Sequence, residues 1–167
     1  MEAKKIIITG AATRIGSAIA KSLVSFETKI GIHFNSSKSS ALKLKKELEE
    51  LGAQAYLFKA DLSNLKQTQS LIKKAHKTMK GLDCLINNAS IFENDNLENF
   101  SEKSFTKHMN INLKAPAIIS QNFKRLIKNK EGCIINIIDQ RVEKLTPFFF
   151  SYTLSKSSLA TFTKTSA

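Results

Sequence analysis

The stretch KKIIITGAATRIG, residues 4–16, decides the fold that we expect for this chain. Its first part, Lys4 to Thr9, is a short apolar run, which is typical of a strand buried on both faces of a sheet. The loop Gly10 to Thr13 follows, and apolar residues then recur at helical spacing from Ile15 onward. A buried strand that turns through glycine into a helix indicates the first part of a β-α-β unit.

The same order of strand and helix repeats along the remaining chain. Further strands are predicted at Lys29 to Phe34, Ala55 to Phe58, Cys84 to Ile86 and Cys133 to Ile138. Further helices are predicted at Ser39 to Leu51, Asn64 to Met79, Glu102 to Lys128 with a kink at Pro116, and from Ser151 onward. This alternation predicts one α/β domain over residues 1–167, a Rossmann-like, doubly wound parallel sheet of five strands. Ligands of such sheets bind beyond the carboxyl ends of the strands.

The composition is that of an ordinary globular protein with an excess of basic residues. The net charge is +12, from 26 Lys and Arg against 14 Asp and Glu. Such a balance indicates either nucleic-acid binding or a lysine-rich solvated surface. We favour the surface and expect no specific nucleic-acid partner, because the lysines are scattered and lack the interleaved aromatic residues of a single-strand binding groove.

No feature of the sequence indicates a membrane, a secretory signal or a metal. No apolar run reaches the length of about 20 residues that a membrane span requires, and the first apolar run is too short for a signal peptide. Cys84 and Cys133 lie in strand-like contexts without metal-ligand spacing, and His33, His76 and His108 lack partners at such spacing. We therefore expect buried thiols, no metal and a cytoplasmic location.

The turn after the first strand is a candidate phosphate site. Gly10 permits a tight turn, and Gly16 allows the following helix to pack closely. The helix start then offers N–H groups to a pyrophosphate. Arg14 lies at this helix start, where its cation opposes the helix dipole unless an anion is bound. A plain turn between strand and helix is the alternative interpretation.

The loop after the second strand favours NADPH over NADH. Sites that prefer NADH have an acidic residue here for the ribose 2′-hydroxyl, whereas this chain has none before Glu47. It offers Asn35, Ser36, Ser37 and Lys38 instead, which suit a 2′-phosphate. A polar loop without preference is the alternative.

Tyr152 and Lys156 form a candidate proton-donating pair. They are four residues apart, so they lie on the same face of a helix. A neighbouring ammonium lowers the pKa of a phenol towards neutrality. The pair therefore predicts a general acid for the reduction of a carbonyl or imine.

Taken together, these segments resemble the short-chain dehydrogenase/reductase family. The matching segments are TGAATRIG at 9–16, ADL at 60–62, NNAS at 87–90, NLKAP beginning at Asn112, and YTLSK at 152–156. The resemblance implies that Asp61 and Leu62 flank the adenine and that Asn88 and Ala89 line the nicotinamide side. The remaining residues of the expected NADPH site are Gly10, Arg14, Ile15, Gly16, Asn35, Ser36, Ser37 and Ser90.

The resemblance also implies catalytic roles. Tyr152 is the expected acid and base, and Lys156 is expected to lower its pKa and to bind the nicotinamide ribose. Asn112 is expected to hold a relay water. Members of the family continue beyond the last helix with two further strands, so we expect a C-terminally truncated chain, and a homo-oligomer for the full-length form.

Three departures from the family pattern are typical of its pteridine reductase branch. Arg14 replaces a glycine, Ser90 replaces the last glycine of the NNAG motif, and Asp139 replaces the serine thirteen residues before Tyr152. In that branch an aromatic residue in the position of Phe92 stacks on the pterin. An ionised carboxylate cannot donate a proton to a ketone, but a carboxyl group with a raised pKa can relay one to a ring nitrogen.

We therefore predict an NADPH-dependent oxidoreductase that transfers hydride to a pterin-like or other small C=N or C=O substrate. Tyr152, Lys156, Asn112 and Asp139 are its expected catalytic residues, and Phe92 is its expected substrate contact. The alternatives are a carbonyl or 3-oxoacyl reductase of the same family and an inactive, truncated nucleotide-binding fragment.

Overall fold

The computed structural model describes residues 4–25, 27–128 and 130–167, and its central feature is one parallel sheet. The strands are β1 Lys5–Ile8, β2 Lys29–Phe34, β3 Gln54–Lys59, β4 Cys84–Asn87 and β5 Cys133–Asn136. They lie in the order β3-β2-β1-β4-β5, and every neighbouring pair is parallel. The predicted five-stranded, doubly wound sheet is confirmed, and the strand order reverses between β1 and β4.

The described residues form six α-helices, of which the first five lie between strands and the last follows β5. They are α1 Arg14–Ser22, α2 Lys38–Glu50, α3 Leu65–Met79, α4 Glu102–Met109, α5 Ala115–Ile127 and α6 Phe150–Thr165. The predicted single helix from Glu102 to Lys128 is wrong in one respect, because a π-helical turn at Asn110–Lys114 separates α4 from α5. Pro116 lies in the first turn of α5, where the missing N–H breaks no α-helical hydrogen bond.

The two faces of the sheet bury separate apolar clusters. Ile6 and Ile8 of β1 point into the layer formed by α1 and α2, whereas Ile7 points into the layer formed by α3 and α5. All three side chains are at most 6% exposed. The continuous apolar run of β1 is explained by this burial on both faces, and each such side chain contributes about 1.5–3 kcal/mol to stability.

The strand β5 forms one edge of the sheet and is largely exposed. Ile134 is 37% exposed and Ile135 42%. Cys133 of β5 pairs in register with Cys84 of β4. Cys133 is exposed and Cys84 is half-buried, so the expectation of two buried thiols is wrong for Cys133 and only partly met by Cys84. Burial, together with the neighbouring Cys133, raises the pKa of the Cys84 thiol to about 12.

The helices of the described chain are short and carry charged outer faces. Lys45 and Lys46 of α2 pair with Glu49 and Glu50 one turn further along the same helix. Exposed pairs of this kind contribute little to stability.

In residues 4–25, 27–128 and 130–167, no helix has the length and apolar character that a membrane crossing needs.

Candidate active site

A cleft of about 450 Å³ opens at the carboxyl ends of the strands, beside the point where the strand order reverses. Parallel sheets of this kind bind ligands at such a point. The cleft is lined by Gly10, Thr13, Arg14, Ile15, Gly16, His33, Asn35, Asp61, Leu62, Asn88, Ala89, Ser90, Ile91, Phe92, Ile111, Asp139 and Tyr152. Most of the residues that the sequence predicts for the site therefore lie around one cavity.

Two glycines allow the turn after β1 to form. Gly10 has φ +62, and a Cβ atom there would lie 2.9 Å from Cα of Ala89. A Cβ atom at Gly16 would lie 2.4 Å from the carbonyl oxygen of Gly10. Both distances are too short for a side chain. The turn therefore has the close backbone packing that a dinucleotide-binding turn requires.

Thr9 and Asn88 fasten this turn to the loop after β4. The Thr9 hydroxyl oxygen accepts the backbone N–H groups of Asn88 and Ala89, both at 3.0 Å. The Asn88 amide donates to the carbonyl oxygens of Thr9 at 2.9 Å and Gly10 at 3.1 Å. The expected cofactor residue Asn88 therefore shapes the cleft chiefly by holding its backbone.

Arg14 begins α1 in a left-handed conformation, with φ +51. This conformation is unfavourable for residues other than glycine, and it is the position at which the sequence shows Arg in place of a glycine. Its side chain is exposed, lines the cleft and forms no ion pair with a carboxylate of the described residues. A cation that lacks a partner at a helix start suits a bound phosphate.

His33 belongs to the cleft, although the sequence indicated only a strand end. Its ring is 2% exposed. Nδ1 accepts the Gly10 N–H at 3.0 Å, and Nε2 donates to the carbonyl oxygen of Ala60 at 3.1 Å. Burial lowers the pKa of His33 to about 4. The hydrogen bond to Ala60 raises this pKa, but its effect is smaller. A polar residue inside an otherwise apolar strand was the sequence signal for this site.

The residues expected around the adenosine half divide into two groups. Asn35, Asp61 and Leu62 line the cleft, whereas Ser36 and Ser37 are exposed outside its lining. The Asp61 carboxylate accepts the backbone N–H of Ser63 at 2.9 Å and its hydroxyl at 2.7 Å. Ser37 precedes α2, and its side chain makes no capping hydrogen bond. Its hydroxyl is therefore not used by the helix that it begins.

Tyr152 and Asp139 form a hydrogen-bonded pair in the cleft. The phenol donates to Oδ2 of Asp139 at 2.8 Å, and Oδ1 accepts the Arg141 backbone N–H at 2.9 Å. Burial, followed by the hydrogen bond and charge of Asp139, raises the pKa of Tyr152 above its ordinary value. The Arg141 charge and the Ser90 hydroxyl act in the opposite direction. The expected lowering of this pKa is therefore wrong in this structure.

Lys156 lies one helical turn from Tyr152 but outside the cleft lining. It is 3% exposed, and its Nζ donates to the carbonyl oxygen of Ile137 at 2.8 Å. The Nζ atom is 5.9 Å from the centroid of the Tyr152 ring. Burial lowers the pKa of Lys156 to about 8, and the Asp139 charge opposes this shift.

Asn112 lies in the π-helical turn and is fully buried. Its amide donates to the Ile91 carbonyl oxygen at 3.1 Å and to the Ser155 hydroxyl at 3.0 Å. Its Oδ1 accepts the Ile91 N–H at 2.9 Å and the Ser90 hydroxyl at 3.1 Å. The side chain of Asn112 thus joins the loop after β4 to helix α6, which carries Tyr152.

An aromatic cluster borders the Tyr152 end of the cleft. Phe92 is 50% exposed, stacks on Phe149 with 4.1 Å between ring centroids, and meets Tyr152 edge-on at 4.7 Å. The Arg141 guanidinium lies 4.4 Å from the Phe149 ring centroid. Phe92 is a predicted site residue, whereas Phe149 and Arg141 were missed. The run of three phenylalanines at 148–150 was the sequence signal for Phe149, and no such signal indicated Arg141.

A family model and several known proteins match almost the whole chain. The family model described as short chain dehydrogenase matches residues 4–167. An uncharacterized oxidoreductase of Methylorubrum extorquens is 28% identical over 95% of this chain, and a nodulation protein G of a Rhizobium species is 30% identical over 98%. The chain spans 64% and 66% of the lengths of these two relatives.

Two solved structures with the same fold were determined in complex with NADP. FolM alternative dihydrofolate reductase 1 from Brucella suis, in complex with NADP, is 36% identical, with a TM-score of 0.90, over 97% of this chain and 68% of its own. A short chain dehydrogenase from Burkholderia cenocepacia, also in complex with NADP, is 25% identical, with a TM-score of 0.90, over 96% of this chain and 66% of its own.

Proposed function

The chain belongs to the short chain dehydrogenase family, and on this premise we propose that it forms the NADPH-binding and proton-donating part of an oxidoreductase that reduces a pterin-like ring. The observation that carries the proposal is the hydrogen bond of 2.8 Å between the Tyr152 phenol and the Asp139 carboxylate at the cleft. The usual serine partner would favour a ketone, whereas a carboxylate suits a substrate whose ring nitrogen takes up a proton.

The cofactor part of the proposal rests on the backbone of the cleft. The turn at Gly10 and Gly16 suits a pyrophosphate, and Arg14 offers it a cation. The loop after β2 has no acidic residue before Glu47, and the Ser37 hydroxyl is not used for capping, which favours a 2′-phosphate. Similar proteins from Brucella suis and Burkholderia cenocepacia have been solved with NADP.

The cofactor supplies a hydride when bound, and Tyr152 supplies the proton. Because burial and Asp139 raise its pKa, the phenol keeps its proton at neutral pH and can give it to a substrate nitrogen. The carboxyl group of Asp139, after taking a proton from solvent, can return one to Tyr152. The buried Lys156 ammonium lies near enough to stabilise negative charge that develops on the phenol.

The substrate part of the proposal rests on the aromatic border of the cleft. Phe92 presents a half-exposed ring beside Tyr152, and flat heterocycles stack on such rings. The similar protein from Brucella suis is named FolM alternative dihydrofolate reductase 1, which supports a substrate of this class. A pterin-like ring therefore fits the hydroxyl, carboxylate and aromatic groups around the cleft.

The substitution Tyr152→Phe tests the proposed function. We expect NADPH oxidation with a dihydropterin to fall by at least about 100-fold, since general acid catalysis contributes that much, while NADPH binding measured by fluorescence is retained. Tyr56→Phe is the matched control, because Tyr56 is half-buried in β3 and its hydroxyl donates to Gln54 at 3.0 Å, away from the cleft lining. Undiminished turnover in Tyr152→Phe would exclude the assigned proton donor.

Two other outcomes with the parent chain would favour an alternative function over the proposed one. A parent chain that oxidises NADPH with a small ketone but with no pterin would be a carbonyl reductase. A parent chain that binds NADPH and turns over neither substrate would be a nucleotide-binding module.

A further inference from the structure

We propose that His33 is a positioning residue for the cofactor, which holds the turn after β1 in its binding shape by accepting the Gly10 N–H. The inference rests on the proposed NADPH site and adds to it a residue that acts through the turn. His33 lies near the end of β2 and contacts the residues that follow β1 and β3. Its ring contacts Gly10 and Ala60, and its carbonyl oxygen accepts the Ala11 N–H at 2.9 Å.

The turn depends on partners from outside its own sequence. Gly10, Ala11 and Ala12 carry no polar side chain, and the Thr13 side chain makes no capping hydrogen bond to α1. Gly10 is in the left-handed region, and its N–H and carbonyl oxygen are each bound by a side chain from another strand end. His33 takes the N–H at 3.0 Å, and Asn88 takes the carbonyl oxygen at 3.1 Å. These two contacts fix the orientation of the peptide groups on both sides of Gly10.

The hydrogen bonds define which ring nitrogen of His33 carries the proton. The Ala60 carbonyl oxygen can only accept, so Nε2 carries the proton and donates to it. Nδ1 is then free to accept the Gly10 N–H. His33 is 2% exposed, so its ring nitrogens bond these two backbone groups and not solvent. Nδ1 therefore holds the turn after β1, and Nε2 holds the residue that follows β3.

Two conservative substitutions separate these functions. In His33→Asn the short side chain can place an oxygen near the position of Nδ1, which keeps an acceptor for Gly10 but leaves the Ala60 carbonyl oxygen without its donor. In His33→Gln the longer side chain can place an amide nitrogen near the position of Nε2, which keeps the Ala60 contact but removes the acceptor for Gly10. His33→Phe fills the space and removes both contacts.

We expect cofactor affinity and stability to fall in opposite orders among these variants. The Kd for NADPH should rise about tenfold in His33→Gln and stay within about threefold of the parent in His33→Asn, as the loss of one hydrogen bond implies. The melting temperature should fall more in His33→Asn than in His33→Gln. Amide exchange at Gly10, measured by NMR on the ligand-free chain, should be faster in His33→Gln and His33→Phe, which lack the acceptor, but not in His33→Asn.

Each remaining result has a definite meaning. A merely structural histidine would weaken NADPH binding in proportion to the loss of stability, with His33→Asn worse than His33→Gln, and this order would overturn the inference. Unchanged Gly10 exchange in His33→Gln would also overturn it. If the parent chain failed to bind NADPH, the proposed function would fall, while Gly10 exchange would still decide whether His33 holds the turn.

Discussion

Arg14 combines an unfavourable backbone with a useful side chain. At φ +51 it occupies a conformation that costs a residue other than glycine about 1–2 kcal/mol. Strain of this kind persists where the surrounding structure imposes it and often occurs at binding sites. The guanidinium lines the cleft and lacks a carboxylate partner among the described residues. We therefore interpret the strain as the cost of placing a cation at the phosphate end of the cleft.

The substitution Arg14→Gly should separate stability from binding. Glycine relieves the strain, so the free energy of unfolding should rise by about 1 kcal/mol. The Kd for NADPH should rise about tenfold, because a charge-assisted hydrogen bond is lost. Urea unfolding and fluorescence titration measure the two effects. Lys80→Gly is the control, since Lys80 has φ +57 at the end of α3, away from the cleft, and should gain stability alone. Equal affinity in both variants would contradict the role of Arg14.

Tyr152 shows how far residue spacing alone can predict a site. The spacing of four residues placed Tyr152 and Lys156 on one helix, and the structure confirms that placement. The direction of the pKa shift was wrong, because spacing does not reveal burial or the orientation of Lys156 towards Ile137. Asp139 was correctly expected beside Tyr152, because the family resemblance fixes that pair across thirteen residues of loop and helix.

Among the elements, the π-helical turn Asn110–Lys114 was beyond the reach of the sequence pattern. Amphipathic spacing indicated one helix from 102 to 128, since a π turn shifts the apolar positions by only one residue. The turn is recognised by its contacts instead. Asn112 bridges Ile91 and Ser155, so the π turn lies where the loop after β4 meets helix α6. Functional sites are common at such turns.

The substitution Asn112→Ala should therefore loosen both the loop and the helix. It removes four hydrogen bonds of a fully buried amide and leaves backbone partners unsatisfied, so the free energy of unfolding should fall by about 3 kcal/mol. Asn110→Ala is the matched control, because Asn110 lies in the same turn, is half-buried and has no side-chain hydrogen bond within the described chain. Similar losses in the two variants would show that Asn112 is not a bridge.

At the scale of the whole molecule, the buried His33 should lower the free energy of unfolding in acid. Its pKa is about 4 in the folded chain and about 6.5 in the unfolded chain. Between these values the unfolded state binds a proton that the folded state does not, so the free energy of unfolding falls as pH falls from about 6.5 to about 4, by about 3 kcal/mol in total. Urea unfolding across this range measures the slope.

Subtracting the same curve for His33→Gln isolates the histidine contribution. Contributions from the other ionisable groups are common to both proteins and cancel in the difference. The difference should therefore grow only between pH 6.5 and 4, with the parent losing more stability than the variant. Parallel curves for the two proteins would show that the folded chain does not hold the pKa of His33 below its value in the unfolded chain.

The sheet as a whole was predictable, but the exposure of Cys133 on its edge strand was not. The order of strands and helices predicts five parallel strands, because right-handed crossovers leave few other arrangements. The apolar sequence CIIN of β5 resembles that of a buried central strand, and it therefore predicted burial of Cys133 as well. Whether an apolar strand is covered depends on what packs beside it in the folded sheet. The spacing of residues along the chain does not carry that information.

The exposed edge of β5 predicts that this 167-residue chain associates with itself. An apolar strand with one side unpaired in the described sheet offers N–H and C=O groups to another strand, and a charged residue there opposes such pairing. Ile135→Lys should therefore shift the chain towards the monomer in sedimentation velocity at micromolar concentration. Leu97→Lys is the control, because Leu97 is 73% exposed in a separate loop and adds the same charge to a chain of net charge +12. If both variants sediment like the parent, the edge of β5 is not the associating surface. If both become monomeric, added charge alone accounts for the change.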